Sequence, residues 1–186
     1  GAIKNLFHST YIDKRAIEDV SFKMEKGQTL ACIGANGAGK STLIKMLVGI
    51  LAPTQGTIKF WGENLQKQSM EYRRKIGVVF GQKTNLWMDI PLIESYNIVK
   101  VIYKINEIEY KKNFDMIVEL LNLGSLLSIP ARKLSLGQRM KADMGMVFLH
   151  SPQILFLDEP TLGLDINIKQ TIRSFIKEMN EKKETS

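Results

Sequence analysis

The sequence predicts an α/β fold with a mainly parallel sheet. Three observations carry that prediction. Short apolar runs alternate with segments of helical period. One such run opens onto a glycine-rich turn, and another ends in two acids. Between them, from Pro91 to about Leu149, apolar residues recur at helical spacing, so a helical insert interrupts the α/β core.

The elements follow in order. Residues 16–23 (AIEDVSFK) alternate apolar and polar, as a strand with one wet face does. Glu25-Lys26-Gly27 reads as a turn. Residues 28–33 (QTLACI) read as a strand buried on both faces, with Cys32 as an inert buried thiol. A helix is expected from about Lys40 to Ile50, ended by Pro53 and Gly56. Residues 57–61 and 76–80 (IGVVF) read as strands. Pro91 fits the first turn of a helix with Glu94 in that same turn. Ile117, Leu120, Leu121 and Leu123 form an apolar stripe, and Ser135 to Leu149 gives a further helix. His150, before Ser151-Pro152, reads as a helix-end residue. The strand ILFLD follows at 154–158, then a helix from about Asp165 to Met179 and a polar tail, NEKKETS, read as a loop.

Composition narrows the function. The chain has 186 residues, 44% hydrophobic and 24% charged, which excludes a disordered tail and a collagen-like repeat. A single cysteine excludes an internal disulfide and favours a reducing compartment. No apolar run reaches the roughly 18 residues of a membrane span; the best, Leu43 to Ala52, is short and holds Lys45. Lys4, His8, Asp13 and Lys14 interrupt any apolar stretch near the start, so residues 1–14 are not expected to read as a signal peptide. The net charge of +7 comes from scattered residues, 20 Lys against 6 Arg, without a basic block, so no nucleic-acid partner is expected.

Residues 34–41 read Gly-Ala-Asn-Gly-Ala-Gly-Lys-Ser, the G-x-x-x-x-G-K-S pattern placed between an expected strand and an expected helix. Glycines let consecutive N–H groups aim inward as an anion nest, and the helix N-terminus adds its positive dipole end. Lys40 is expected to reach the β- and γ-phosphates and the Ser41 hydroxyl to ligate Mg²⁺, with Thr42 following at the helix start. In a chain of this composition the four fixed positions match by chance about once in a hundred cases. In ILFLDEP, a buried strand delivers two acids to its C-terminal end, where ligands bind in open α/β sheets. Asp158 is expected to hold Mg²⁺, and Glu159 to orient or deprotonate the attacking water. A plain Asp-Glu-Pro surface turn is the alternative.

Together GANGAGKST, Gln82, LSLGQ at 134–138, ILFLDEP and Gly163-Leu-Asp165 occur in that order. This series resembles the nucleotide-binding domain of ATP-binding-cassette (ABC) transporter ATPases along nearly the whole chain. The resemblance implies a P-loop NTPase (RecA-like) core with an N-terminal antiparallel β portion and an inserted α-helical subdomain. Residues 1–84 and 151–186 would form the core and 85–150 the insert, within one truncated domain, 1–186. It implies ATP with Mg²⁺, held by Gly34, Asn36, Gly37, Ala38, Gly39, Lys40, Ser41 and Thr42. Tyr11 falls where the family stacks an aromatic on adenine, although an edge-strand aromatic would read the same. Gln82 would touch Mg²⁺ and the lytic water, and would hinge the insert.

Ser135, Gly137 and Gln138 resemble the signature that faces the γ-phosphate bound by a second subunit, so two cassettes would sandwich two ATPs head to tail. Asp165 would lie at the same seam. Ser135 and Asp165 would also serve as plain helix N-caps. Leu136 stands where many family members carry glycine. The family's switch histidine has no counterpart, since His8 and His150 fit neither position, which implies a fragment of a longer protein. LSLGQRM is similar to exporter-type members with a separate permease. The implied protein is the ATPase subunit of an exporter, cytoplasmic and peripheral on the inner face of the cell membrane. Its permease would dock near Lys83 to Met88, with Trp87 otherwise a core residue. A translation-factor-like ATPase, or nucleotide binding without turnover, are the alternatives.

Overall fold

The computed structural model describes residues 15–65, 69–81 and 83–183. The elements run α1 (Lys40–Leu47), β1 (Lys59–Phe60), β2 (Glu63–Asn64), α2 (Ser69–Lys75), β3 (Ile76–Phe80), α3 (Leu92–Tyr103), α4 (Glu107–Leu120), α5 (Leu136–Phe148), β4 (Ile154–Asp158) and α6 (Ile166–Lys183), with short 3₁₀ turns at Gly124–Leu126 and Ala131–Lys133. β3 and β4 pair in parallel, from Ile76↔Ile154 to Phe80↔Asp158. β1 and β2 form an antiparallel pair closed by Trp61 and Gly62, both at positive φ. The mixed α/β class expected from the sequence is therefore present.

The IGVVF and ILFLD runs form strands at the expected residues because each is apolar and bounded by polar or turn residues. Gly77 in β3 is a packing requirement: an added Cβ would lie 2.4 Å from Val147 Cγ1 of α5. Pro91 and Ser135 stand immediately before α3 and α5 as N-cap residues. The helices of residues 92–148 bury Leu92, Tyr96, Ile117, Leu121, Met144 and Phe148 in one core that extends to Phe175 of α6. Burying each of these large side chains is worth about 1.5–3 kcal/mol. A smaller core joins Ile44, Val48, Tyr72, Ile76 and Ile154, seating α1 and α2 on the strands.

Several expectations are corrected. Residues 16–23 and 28–33 are not in strands: a strand requires a hydrogen-bonded neighbour, and among the described residues no ladder includes them. Val20, Phe22, Leu30 and Ile33 are consequently exposed, Ile33 at 94%, and Cys32 is exposed rather than buried. The turn at 25–27 does form, with Gln28 N–H donating to Glu25 O at 3.1 Å. The 57–61 strand shrinks to Lys59–Phe60. α1 stops at Leu47, and Gly49 at positive φ follows its C-cap, Val48. Of the polar tail, residues 180–183 continue α6 instead of forming a loop, and 184–186 lie outside the described residues. α2 (SMEYRRK) was not foreseen; it anchors through Tyr72, whose hydroxyl donates to Leu47 O at 2.7 Å.

Candidate nucleotide site

The loop 34–39 enters α1 through Gly39, whose φ of 91° is a left-handed conformation that an L side chain rarely adopts. A Cβ there would also lie 2.4 Å from Ala16 O. Gly37 has φ 84° with open space around it. No side chain caps α1, so its first-turn N–H groups are left for another acceptor. Asn36 and Ala38 lie exposed on the loop, and Thr42 is half-buried on α1. Lys40 Nζ donates to Gly34 O (2.8 Å) and Ala35 O (2.9 Å), folding the ammonium back over its own loop. The expected residues thus form one turn with the Lys40 cation held against its first two carbonyls.

The first turn of α1 meets the end of β4. Ser41 Oγ donates to Asp158 Oδ1 at 3.0 Å, joining residues 117 positions apart. A hydroxyl and a carboxylate at this distance are the hard oxygen donors that Mg²⁺ takes, its remaining positions being filled by water and phosphate oxygens. No cluster of three or more His, Cys, Asp or Glu side chains suited to a metal occurs among the described residues. Glu159 follows at φ 51°, an uncommon conformation for a non-glycine residue. Gly81 N–H donates to Asp158 O (2.8 Å), and a Cβ on Gly81 would lie 2.1 Å from Glu159 O. Glycine at 81 is therefore what lets the loop leaving β3 pass directly beside the two acids. Tyr11 and Gln82 lie outside the described residues.

A second cluster forms at the N-termini of α5 and α6. Ser135 Oγ accepts from Gln138 N–H (3.2 Å), and Gln138 Oε1 accepts from Ser135 N–H (2.9 Å), a reciprocal capping box. Asp165 Oδ1 accepts from Ile168 N–H at 2.9 Å and caps α6. Both residues thus make the N-cap contacts that were their alternative reading. Gly137 packs so closely on α6 that a Cβ would lie 1.9 Å from Ile168 Cδ1. Leu136 is half exposed and faces Gly163. The structure therefore gathers Lys40, Ser41, Asp158, Gly81 and Glu159 in one place, and Ser135, Gly137, Gln138, Gly163 and Asp165 in another.

One residue was not foreseen. Asp143, 2% exposed in the middle of α5, accepts from Asn85 N–H at 2.8 Å. Burial holds its carboxyl above the usual range, opposed by hydrogen bonds from Thr84, Asn85 and Leu86 and by the Arg139 charge. A charged residue on an otherwise apolar helix face was the available signal. His150 does stand at a helix end, and it also stacks on Tyr103 at 3.9 Å and meets Ile76 O at 3.0 Å. Trp87, 40% exposed, follows Leu86 in the same loop.

Comparison with known proteins agrees with this geometry. The sequence profile described as "ABC transporter" matches residues 17–162. The chain is 32% identical over 171 residues to the ABC transporter ATP-binding protein NatA of Bacillus subtilis, covering 92% of this chain and 70% of that one. It is 34% identical over 178 residues to the bacitracin transport ATP-binding protein BcrA of Bacillus licheniformis, covering 91% of this chain but only 56% of that one. Among solved structures, cbiO1 of Clostridium perfringens, part of the ABC transporter complex cbiONQ, superposes with a TM-score of 0.79 at 30% identity, over 91% of this chain and 69% of that one. No helix among the described residues is long and apolar enough to cross a membrane. With its phosphate loop meeting its acidic strand end, and with these relatives, the chain belongs to the ABC transporter family of ATP-binding proteins.

Proposed function

We propose that the chain binds ATP with Mg²⁺ and contributes the hydrolytic site of an ABC transporter that drives export through a separate permease. The observation that carries the reading is the 3.0 Å contact between Ser41 and Asp158, which brings the start of α1 and the end of β4 together. Loop 34–39 would wrap the phosphates with its N–H groups, and Lys40 would exchange its two loop carbonyls for β- and γ-phosphate oxygens. Ser41 and Asp158 would hold Mg²⁺, which supplies charge neutralisation to the phosphates when bound. Glu159, next along the chain, would take a proton from, or orient, the attacking water. Gln82, at the exit of β3, would contribute to the same metal and water, and Tyr11 would stack on the base.

A γ-phosphate also requires donors on its outer side. Ser135, Gly137 and Gln138 would supply them to a second cassette, identical or not, with Asp165 at the same seam. NatA and BcrA are named as ATP-binding proteins, and cbiO1 is named as part of a transporter complex. By analogy the permease would meet the Lys83–Met88 loop, placing the protein at the inner face of the membrane. The core and insert boundaries, 1–84 with 151–186 and 85–150, belong to this reading.

Titrating the chain with a fluorescent ATP analogue, with and without Mg²⁺, tests the proposal directly. Saturable, Mg²⁺-strengthened binding that Lys40→Ala abolishes is expected; Mg²⁺-independent binding that survives the substitution would reject it. Copurification with an integral membrane protein tests the transporter assignment, and ribosomes in its place would favour a translation role.

A further inference from the structure

Between β3 and the helical insert, residue 81 and residues 83–91 have little regular structure. Its first part is fixed at several points. Gly81 N–H is bound to Asp158 O, and the Asn85 side-chain amide donates to Val78 O at 3.2 Å. Farther on, Trp87 N–H donates to Ser95 Oγ of α3 at 3.2 Å. The bond to Asp143 differs from these, because its acceptor is a carboxylate buried within α5 and 58 positions away. A buried carboxylate is costly, so its place in a helix core requires partners that only the loop's N–H groups, the Thr84 hydroxyl and the Arg139 charge supply.

α5 is also the helix whose first turn carries Ser135, Gly137 and Gln138. One end of the clasp therefore lies in the loop that begins beside Asp158 and Glu159, and the other in the helix that presents the capping-box cluster. We propose that Asp143 is a positioning residue that fixes loop 83–86 to α5, so that the strand-end acids and the Ser135 helix are held in one geometry. This rests on the ATPase reading above for its consequence, while the clasp itself is a property of the unliganded chain.

The test uses the full chain with Asp143→Ala and Asp143→Asn, and Tyr96→Phe as the comparison. Tyr96 gives a hydrogen bond to the same helix, at Ala142 O (2.8 Å), and faces Asp143 without hydrogen-bonding to the carboxylate, so its loss leaves the loop's bonds to Asp143 in place. Amide hydrogen exchange in the absence of nucleotide is expected to quicken at least about tenfold at Asn85 and Leu86 in Asp143→Ala, less in Asp143→Asn, and not in Tyr96→Phe. In Mg²⁺-ATP, kcat is expected to fall about 10- to 100-fold in Asp143→Ala with KM within about threefold, since small misplacements affect turnover more than binding. Asp143→Asn, which keeps one acceptor oxygen, should recover part of that loss. Unchanged exchange at Asn85 and Leu86, or an equal kcat loss in Tyr96→Phe, would overturn the proposal. If the unsubstituted chain fails to bind ATP, the ATPase reading fails, and exchange alone then decides the clasp.

Discussion

Ser41, on the first turn of α1, donates its hydroxyl hydrogen to the Asp158 carboxylate at the last residue of β4. Phosphate loop and acidic strand thereby meet at one point, through a pair of oxygens suited to a small hard cation. If that is their use, Asp158→Asn should weaken Mg²⁺-ATP binding by roughly tenfold, about 1.4 kcal/mol, while leaving Mg²⁺-free nucleotide binding within about twofold. Calorimetric titration with and without EDTA distinguishes the two, and equal losses under both conditions would show that the pair serves only to hold the fold.

Glu159 sits one residue beyond the metal candidate, exposed and at positive φ. Glu159→Gln preserves size and the acceptor oxygen but not basicity. Turnover should fall by about 10²–10⁴-fold with ATP affinity within about threefold. Phosphate release compared with equilibrium binding is the check; near-normal turnover would remove Glu159 from the chemistry.

Gly137 faces Ile168 with no room for a methyl group, the ideal Cβ lying 1.9 Å from Ile168 Cδ1. Gly137→Ala gains up to about 1 kcal/mol in helix propensity but overpacks by about 1–3 kcal/mol. A net fall in Tm of a few degrees is expected. Ile168→Val, which deletes the offending Cδ1, should restore most of it in the double variant. Additive losses from the two substitutions would refute the contact.

Asp143 makes stability depend on pH. Its carboxyl is raised by burial, so the folded chain keeps the proton at pH values where the unfolded chain has released it. The native state then binds more protons, and stability falls as pH rises from the ordinary value of 3.8 through the raised one. Arg139, Thr84, the N–H groups of Asn85 and Leu86, and Tyr96 face the carboxylate, with Arg139 and the hydrogen bonds limiting the shift. On acidification across that window the unsubstituted chain should gain in Tm relative to Asp143→Asn. Thermal melts at several pH values would show the opposite trend if the side chain were fully stabilised as the anion.

The parts legible in the sequence were those set by local chemistry. The run of glycines at 34–39, the ILFLD strand, and the Ser135 and Asp165 caps each depend on residues within a few positions. The strands expected at 16–23 and 28–33 do not form among the described residues because alternation in the first and an apolar run in the second give a strand's pattern but not a partner. α2 escaped notice because SMEYRRK is one polar-faced helix of 7 residues whose place is decided by Tyr72 reaching Leu47. The Asp143 clasp is a tertiary contact, visible in the sequence only as an acid among apolar residues.

β4 pairs with β3, and segment 28–33, which belongs to no strand among the described residues, carries Leu30 and Ile33 in solvent. Apolar side chains held in water invite copies of a chain to associate. Concentrated stocks of this chain should therefore cloud on storage well below the temperature at which its helices melt, and dilution or mild chaotrope, rather than cooling, would be the handling remedy.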